Sequence, residues 1–246
     1  MQIITTHKGT DFDAAASVLA AKILYPGAIA VLPNSLNPNV KAFLSIHKDL
    51  FEIHTPPGLE LDAVMSLIVV DTNRWSRLDQ MDKLKENKNL EIFLWDHHLN
   101  QGDIDATWKC EETVGATITL LIRNLKQQNQ KLTPIQATLF LAGIYEDTGN
   151  LTFPATKAED VLAAAYLLQQ GADLNVLNSF LRPAYGESQR TILTEMLQSV
   201  QTKRFGGYQF AINKLDITGH VDNLAVVVGM YREILNVDAA FGIFVQ

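Results

Sequence analysis

Histidine and acidic residues are concentrated in four short segments of the 246-residue sequence. The residues are His7, Asp11 and Asp13; Asp71; Asp96, His97 and His98; and Glu146 with Asp147. Imidazole and carboxylate ligands without a thiolate favour Mn²⁺ or Mg²⁺ over structural zinc. The set is large enough for two ions, which can activate water and neutralise phosphoryl oxygens. The pattern therefore predicts metal-assisted hydrolysis of a phosphate ester or anhydride.

Each segment also has an ordinary structural interpretation. Asp11 and Asp13 stand where a helix cap is expected, and Asp71 could simply begin a turn. Two histidines and a carboxylate directly after a buried strand are more than packing requires. Glu146 and Asp147 are at the predicted end of a helix, where acidic side chains oppose the helix dipole, so a nearby cation is indicated. We therefore interpret the four segments as one metal site.

The elements that must position these residues follow from the apolar pattern. Short apolar or β-branched runs predict strands at 2–7, 28–33, 51–55, 65–70 and 91–95, and later at 208–213 and 239–245. Helices are predicted at 12–25, 76–86, 115–125, 134–146, 156–170, 187–203 and 222–235.

Continuous apolar strands that alternate with helices indicate an α/β fold with a parallel β-sheet covered by helices. The polar segments follow three of these strands directly. Because open α/β sheets bind ligands at the carboxyl ends of their strands, we expect the segments to meet at that edge.

Composition narrows the class of protein. Apolar residues make up 47% of the chain and charged residues 19%, which is typical of a globular protein. The single cysteine, Cys110, excludes an intrachain disulfide and a cysteine-based zinc cluster. No segment predicts a membrane span or a signal peptide, so a cytoplasmic location is expected. The net charge of −7 argues against general duplex-DNA binding, which needs a basic face.

The segments THKGTDFDAAAS, VVDTN, WDHH and GIYEDTGNLTF resemble, in order, the four motifs of the DHH phosphoesterase superfamily. That superfamily includes RecJ-type exonucleases, nanoRNases, cyclic-dinucleotide phosphodiesterases and family II inorganic pyrophosphatases. The N-terminal segment is also similar to the DHH module of poly(A) polymerase/tRNA nucleotidyltransferase-like proteins, which carry CBS domains.

The resemblance implies a role for each site residue. It implies two Mn²⁺ ions, with Mg²⁺ as a possible substitute. The first ion would be held by His7, Asp11 and Asp71, and the second by Asp13, Asp71, His97 and Asp147. His98 would face the scissile phosphate, and Asp96 would orient a histidine from behind. The implied activity is hydrolysis of phosphodiester bonds in short oligonucleotides or dinucleotides by a two-metal mechanism.

The resemblance also implies a domain organisation: a DHH catalytic domain at 1–185, a linker helix at 186–203, and a partial DHHA1-like substrate-binding lobe at 204–246. The Gly-rich GGGH-like motif of that lobe is missing, because the sequence stops at FGIFVQ. We therefore expect a part of a longer protein, with CBS or nucleotidyltransferase domains as candidates.

Two other functions stay open: an inorganic pyrophosphatase-like anhydride hydrolase, and a non-catalytic nucleotide- or RNA-binding module of a larger polymerase-type protein. Isolated arginines could contact phosphates in any of these functions, but we interpret them as solvated surface residues. They are Arg74, Arg77, Arg182 and Arg190.

Overall fold

The computed structural model describes residues 1–181, 187–221 and 224–245. The chain divides into two compact units. The first contains the described residues up to 181, and the second contains those from 187 onward. No described helix is both long and apolar enough to cross a membrane.

The first unit is built on a five-stranded parallel sheet. Its strands are β1 (Gln2–Thr5), β2 (Ile29–Ala30), β3 (Ser66–Val70), β4 (Glu91–Asp96) and β5 (Trp108–Glu111), in the order β2-β1-β3-β4-β5. All four pairings are parallel, so the predicted fold class is confirmed.

Both faces of this sheet are buried. Ile3, Leu67 and Val69 belong to one core cluster, whereas their neighbours Ile4 and Ile68 belong to the other. This alternation within a continuous apolar run explains why the strands lack the polar face of a one-sided sheet.

Helices cover one face of the sheet. They are α1 (Phe12–Leu24), α2 (Pro38–His47), α3 (Thr117–Gln127), α4 (Pro134–Thr148), α5 (Ala158–Gln169) and α6 (Leu174–Leu181). Helix α4 begins with a capping box between Thr133 and Gln136, with Pro134 in its first turn, and ends at Gly149, which has a φ of +54°. These are the start and stop signals that the sequence presents.

The other face is covered by loops and short 3₁₀ helices, so the prediction of one helix at 76–86 was wrong. In and beside that range the structure forms two 3₁₀ segments, Trp75–Arg77 and Asp82–Glu86, and two others are Lys48–Leu50 and Leu61–Ala63. Trp75, Leu78, Met81 and Leu84 are all buried in or beside the first two segments, and Gln80 between those two has a φ of +56°, which interrupts a continuous α-helix.

The strand predicted at 51–55 was also wrong, since His54 forms only an isolated bridge with Val31. Pro56 and Pro57 follow directly and cannot donate backbone hydrogen bonds, so the pairing cannot extend.

The second unit contains α7 (Glu187–Gln198), β6 (Gln201–Phe205), β7 (Tyr208–Asp216), α8 (Leu224–Leu235) and β8 (Ala239–Val245). Strands β6 and β7 form an antiparallel hairpin, and β8 pairs with β7 in parallel. The helix predicted at 186–203 ends at Gln198, and Gly186 lies outside the described residues. The hairpin explains the early end, because Gly206 and Gly207 both adopt positive φ, as a two-residue hairpin turn requires.

Candidate active site

The three sheet-borne segments leave neighbouring strands at one edge of the sheet. His7 follows β1, Asp71 follows β3, and Asp96 ends β4, with its two histidines beyond it. Asp71 has a φ of +60°, in the left-handed region that few non-glycine residues adopt. Its backbone N–H donates to Trp95 O (2.8 Å), which fixes this turn at the end of β3.

Asp71 is at the centre of the cluster, and its side chain is 3% exposed. Its Oδ2 is 3.2 Å from His7 Nε2. Its Oδ1 accepts a hydrogen bond from Thr117 Oγ1 (2.8 Å) and is 3.6 Å from His97 Nε2. The two oxygens of one carboxylate therefore face two different histidines.

The structure brings all eight predicted site residues to this edge. Three groups have ligand atoms within 4.8 Å of one another: His7, Asp11 and Asp71; Asp13, His97 and Asp147; and Asp71, His97 and His98. The first two groups have the compositions of two separate metal sites, and Asp71 is adjacent to both.

His7 and His97 both present Nε2 to carboxylates. His7 Nδ1 lies 3.0 Å from Lys8 O, and His97 Nδ1 lies 3.2 Å from Val114 O. Because each Nδ1 must donate to its carbonyl, each neutral ring carries its lone pair on Nε2. His97 Nε2 is buried without a hydrogen-bond partner among the described residues, although Asp147 Oδ2 is 3.3 Å away. A lone pair that faces carboxylate oxygens is repelled unless a proton or a cation lies between them.

Two of the aspartates also cap helices. Asp11 caps α1 by accepting from Ala14 N (3.0 Å). Asp13 caps α3 from a different helix, accepting from Thr117 N (2.6 Å) and Ile118 N (2.8 Å). Asp11 and Asp13 therefore cap helices, as their positions in the sequence allow, and also belong to the cluster.

Glu146 supplies another explanation for acidic residues at the end of α4. Its Oε2 accepts from Phe12 N at the start of α1 (2.5 Å), so it faces the positive end of a second helix. The adjacent Asp147 makes no such contact with a helix N-terminus among the described residues and turns toward His97.

Asp96 positions His98. Asp96 is fully buried, and its Oδ1 accepts from both His98 N (3.1 Å) and His98 Nδ1 (2.7 Å). The His98 side chain is 39% exposed, so its Nε2 edge is available to a ligand. The sequence-based prediction that Asp96 orients a histidine fits this geometry.

The electrostatics reflect the crowding of like charges. Burial and the nearby Asp71 charge raise the pKa of Asp11 to about 6. Burial, Asp71 and Asp147 raise the pKa of Asp13 well above its usual value. Burial alone would lower the pKa of His97, but its contacts with Asp147 and Asp71 raise it to about 9. Protons on these groups neutralise charge that a bound cation would also neutralise.

These residues fit divalent metal ions. They supply carboxylate oxygens and two correctly oriented imidazole nitrogens with no thiolate, a donor set that suits Mn²⁺ and Mg²⁺. The unpartnered His97 Nε2 is the direct structural sign that a ligand-accepting position exists there.

Sequence reasoning missed three residues that shape the site. Thr117 hydrogen-bonds Asp71, and Glu146 was considered only as a sign of a nearby cation rather than as an acceptor at the N-terminus of α1. Asn73 Nδ2 donates to Asn100 O (2.8 Å) and holds the loop that follows His98. Asn73 and Glu146 carried a signal, since they belong to the second and fourth motif segments, whereas Thr117 carried none.

The arginines singled out in the sequence have different positions. Arg74 and Arg77 are exposed near the site, Arg190 is exposed on α7 of the second unit, and Arg182 lies outside the described residues.

Curated relatives fall into three functional groups. An A-adding tRNA nucleotidyltransferase from Geobacter sulfurreducens is 32% identical over 243 residues, which cover 98% of this chain and 28% of the relative. A probable manganese-dependent inorganic pyrophosphatase from Exiguobacterium is 28% identical, covering 97% of this chain and 78% of the relative. The bifunctional oligoribonuclease and PAP phosphatase NrnA of Mycoplasma genitalium is 27% identical over 115 residues, or 46% of this chain and 36% of the relative.

The fold has a solved counterpart. An exopolyphosphatase-related protein from Bacteroides fragilis superposes with a TM-score of 0.73 at 19% identity, covering 96% of this chain and 73% of that one. The family model described as "DHH family, N-terminal domain" matches residues 2–144, which include the first three motif segments. With the fold and the motif residues in agreement with this match, the chain belongs to the DHH family.

Proposed function

We propose that this chain is a metal-dependent phosphoesterase that hydrolyses phosphodiester bonds of short oligonucleotides or dinucleotides with two Mn²⁺ ions. The observation that carries the proposal is the position of Asp71. Its two carboxylate oxygens face the Nε2 atoms of His7 and His97. In both histidines the backbone carbonyl is bonded to Nδ1, which leaves Nε2 for the carboxylate side. A carboxylate between two ligand groups is the arrangement that a pair of neighbouring ions requires.

The proposal divides the ligands between the two ions. His7, Asp11 and Asp71 would hold the first. The second would be held by Asp13, Asp71, His97 and Asp147. When bound, such ions supply a nucleophile from water at neutral pH and neutralise charge on phosphoryl oxygens.

His98 and Asp96 act on the substrate side in this proposal. Asp96 Oδ1 fixes the tautomer of His98 by accepting from Nδ1–H, and therefore directs Nε2 outward. The neutral ring then carries its lone pair on Nε2, and the imidazolium form can donate Nε2–H to a phosphoryl oxygen or to the leaving oxygen. Because Asp96 is fully buried, the orientation of the imidazole is kept without competition from water.

The substrate class is supported by the NrnA relative, which is named for oligoribonuclease and PAP phosphatase activities. The proposal assigns substrate binding to the second unit as well, following the sequence resemblance to a DHHA1-like lobe. In the cell, the proposal places the chain in the cytoplasm, within a longer protein that has further domains. Two A-adding tRNA nucleotidyltransferases support the last point. Each matches 98% of this chain, whereas this chain spans only 28% of each relative.

A second candidate is anhydride hydrolysis. The pyrophosphatase relative aligns along 97% of this chain and is named as manganese-dependent. The same ligand set would serve a phosphoanhydride, since the ions act on phosphoryl oxygens in both reactions. The third candidate, a nucleotide- or RNA-binding module without catalysis, is favoured by the nucleotidyltransferase relative.

One experiment separates the three candidates. Mn²⁺-dependent release of mononucleotide is measured from a short 5′-phosphorylated RNA and a linear dinucleotide, with phosphate release from pyrophosphate in parallel. The His97→Ala variant is the blank. The matched control is His54→Ala, because His54 is half-exposed and lies outside the cluster.

Mononucleotide release that disappears in His97→Ala and persists in His54→Ala supports the proposal. Phosphate release from pyrophosphate alone supports the anhydride hydrolase. Metal and RNA binding without any turnover supports the binding module and contradicts the proposed activity.

A further inference from the structure

A cavity of about 240 Å³ adjoins the site on the side of His98. Its principal lining residues are Asp96 and His98 from the site, Asn73 and Asn100 from the flanking loops, and Arg74 and Arg77. Ligand pockets for whole small molecules are commonly about 300–1,000 Å³, so this cavity suits a small group such as a phosphoryl group.

The two arginines are held on one face of a rigid turn. Arg74 directly precedes the 3₁₀ segment Trp75–Arg77, Arg77 is its last residue, and both arginines line the same cavity. Trp75 is buried, and its backbone N–H donates to Asp103 Oδ1 (2.8 Å). The carbonyl of Arg77 accepts from Lys8 N (2.8 Å), which ties the turn to the loop after His7.

Neither guanidinium is paired with a carboxylate among the residues that the structure describes. Arg74 Nη2 donates only to Gln101 O, at 3.4 Å. Arg123, by contrast, bonds Glu112 and Glu159 through two nitrogens each. In a chain with 27 acidic and 20 basic residues, two arginines without acidic partners beside a pocket are available for an anionic ligand.

We propose that Arg74 and Arg77 form an anion subsite that takes a second phosphoryl group of the substrate, next to the scissile one. The preferred substrates are therefore nucleotides with a terminal phosphate, such as a 5′-phosphorylated dinucleotide, over dinucleoside monophosphates. The identity of the neighbouring site rests on the proposed function.

Asp96 does not oppose this assignment. It is the carboxylate among the lining residues, and its Oδ1 is hydrogen-bonded by the His98 ring and backbone. Two arginines therefore line the cavity against one carboxylate, and the Oδ1 of that carboxylate is already engaged by an imidazole.

The test compares pApA with ApA in Mn²⁺ buffer for the wild type and for the Arg74→Gln, Arg77→Gln and double variants. Lys131→Gln is the charge-matched control, because Lys131 is exposed in the loop before α4, at the opposite end of that helix from Asp147. We expect the double variant to raise KM for pApA by about tenfold, the ratio that corresponds to roughly 1.4 kcal/mol, with kcat unchanged. KM for ApA should not change.

An equal effect on both substrates, no effect on pApA, or the same effect in Lys131→Gln would overturn the subsite. Calorimetric titration of pApA and ApA provides a readout without turnover. If no substrate is hydrolysed but the double variant binds pApA about tenfold more weakly than the wild type, the subsite stands and the proposed function fails. If hydrolysis is intact and the preference for pApA is unchanged, the subsite fails and the proposed function stands.

Discussion

Thr117, the first residue of helix α3, connects that helix to the central carboxylate of the site, Asp71. Its hydroxyl donates to Asp71 Oδ1 at 2.8 Å, and Thr117 is fully buried. The Thr117→Val substitution removes this donor while it preserves size and β-branching. The backbone N–H of residue 117 keeps its hydrogen bond to Asp13, so the cap of α3 is retained.

The expected magnitude follows from the charge of the acceptor. A hydrogen bond to a charged group contributes about 1.5–3 kcal/mol, so the free energy of unfolding should fall by an amount of that order. Residues that orient metal ligands typically change metal affinity by about 10–100-fold when they are substituted. We therefore expect the Mn²⁺ dissociation constant of Thr117→Val to rise by about 10–100-fold.

Thr119 provides the matched control. It is also fully buried on α3 and donates to a buried carboxylate, Asp160 Oδ1 (2.6 Å), which is away from the cluster. Thr119→Val should lose similar stability in urea titration but keep its Mn²⁺ affinity in calorimetry. Wild-type Mn²⁺ affinity in Thr117→Val, or an equal loss in Thr119→Val, would refute the reasoning.

Further predictions concern the histidines and pH. Asp96→Asn should lower kcat by about 10–100-fold and leave the number of bound Mn²⁺ ions unchanged, because Asp96 orients His98 and is not in the predicted ligand set. Steady-state kinetics and metal analysis measure the two quantities, and an unchanged kcat or a loss of metal would contradict the prediction. The raised pKa of Asp11 (about 6) and of His97 (about 9) give stability that is complete at low pH and lost as pH rises through those values. The Tm of the EDTA-treated protein should therefore fall between pH 5.5 and 9, and a Tm that rises over this range would oppose the charge assignment. Since metal binding displaces these protons, the gain in Tm on adding Mn²⁺ should be larger at pH 8 than at pH 6, and an equal gain would count against the ligand set.

The parallel sheet and the meeting of the motif segments could be predicted from sequence, because both depend on local patterns. Buried parallel strands read as continuous apolar runs, and the carboxyl ends of adjacent parallel strands necessarily share one edge. Val70 and Trp95 are register partners in β3 and β4, which places Asp71 and Asp96 next to each other.

Strand β5 could not be predicted in this way. It reads Trp-Lys-Cys-Glu, is largely exposed and is at the edge of the sheet, so only its pairing with β4 defines it. Helix α2 was missed although its signals are present. Pro38 begins it, and Val40, Phe43 and Leu44 are buried at helical spacing.

The contacts of Thr117 and Glu146 depend on tertiary structure alone. Thr117 is 46 positions from Asp71, and Glu146 is 134 positions from Phe12. No spacing rule links such residues, since the packing of α3 and α4 against α1 creates the contacts.

Anomalous diffraction from Mn²⁺-soaked crystals tests the central claim most directly. The account predicts two manganese peaks about 3.5–4 Å apart, the usual separation in two-metal sites, with Asp71 between them. His7 and Asp11 should contact one peak, and Asp13, His97 and Asp147 the other. A single peak, or two peaks that do not share Asp71, would contradict the account.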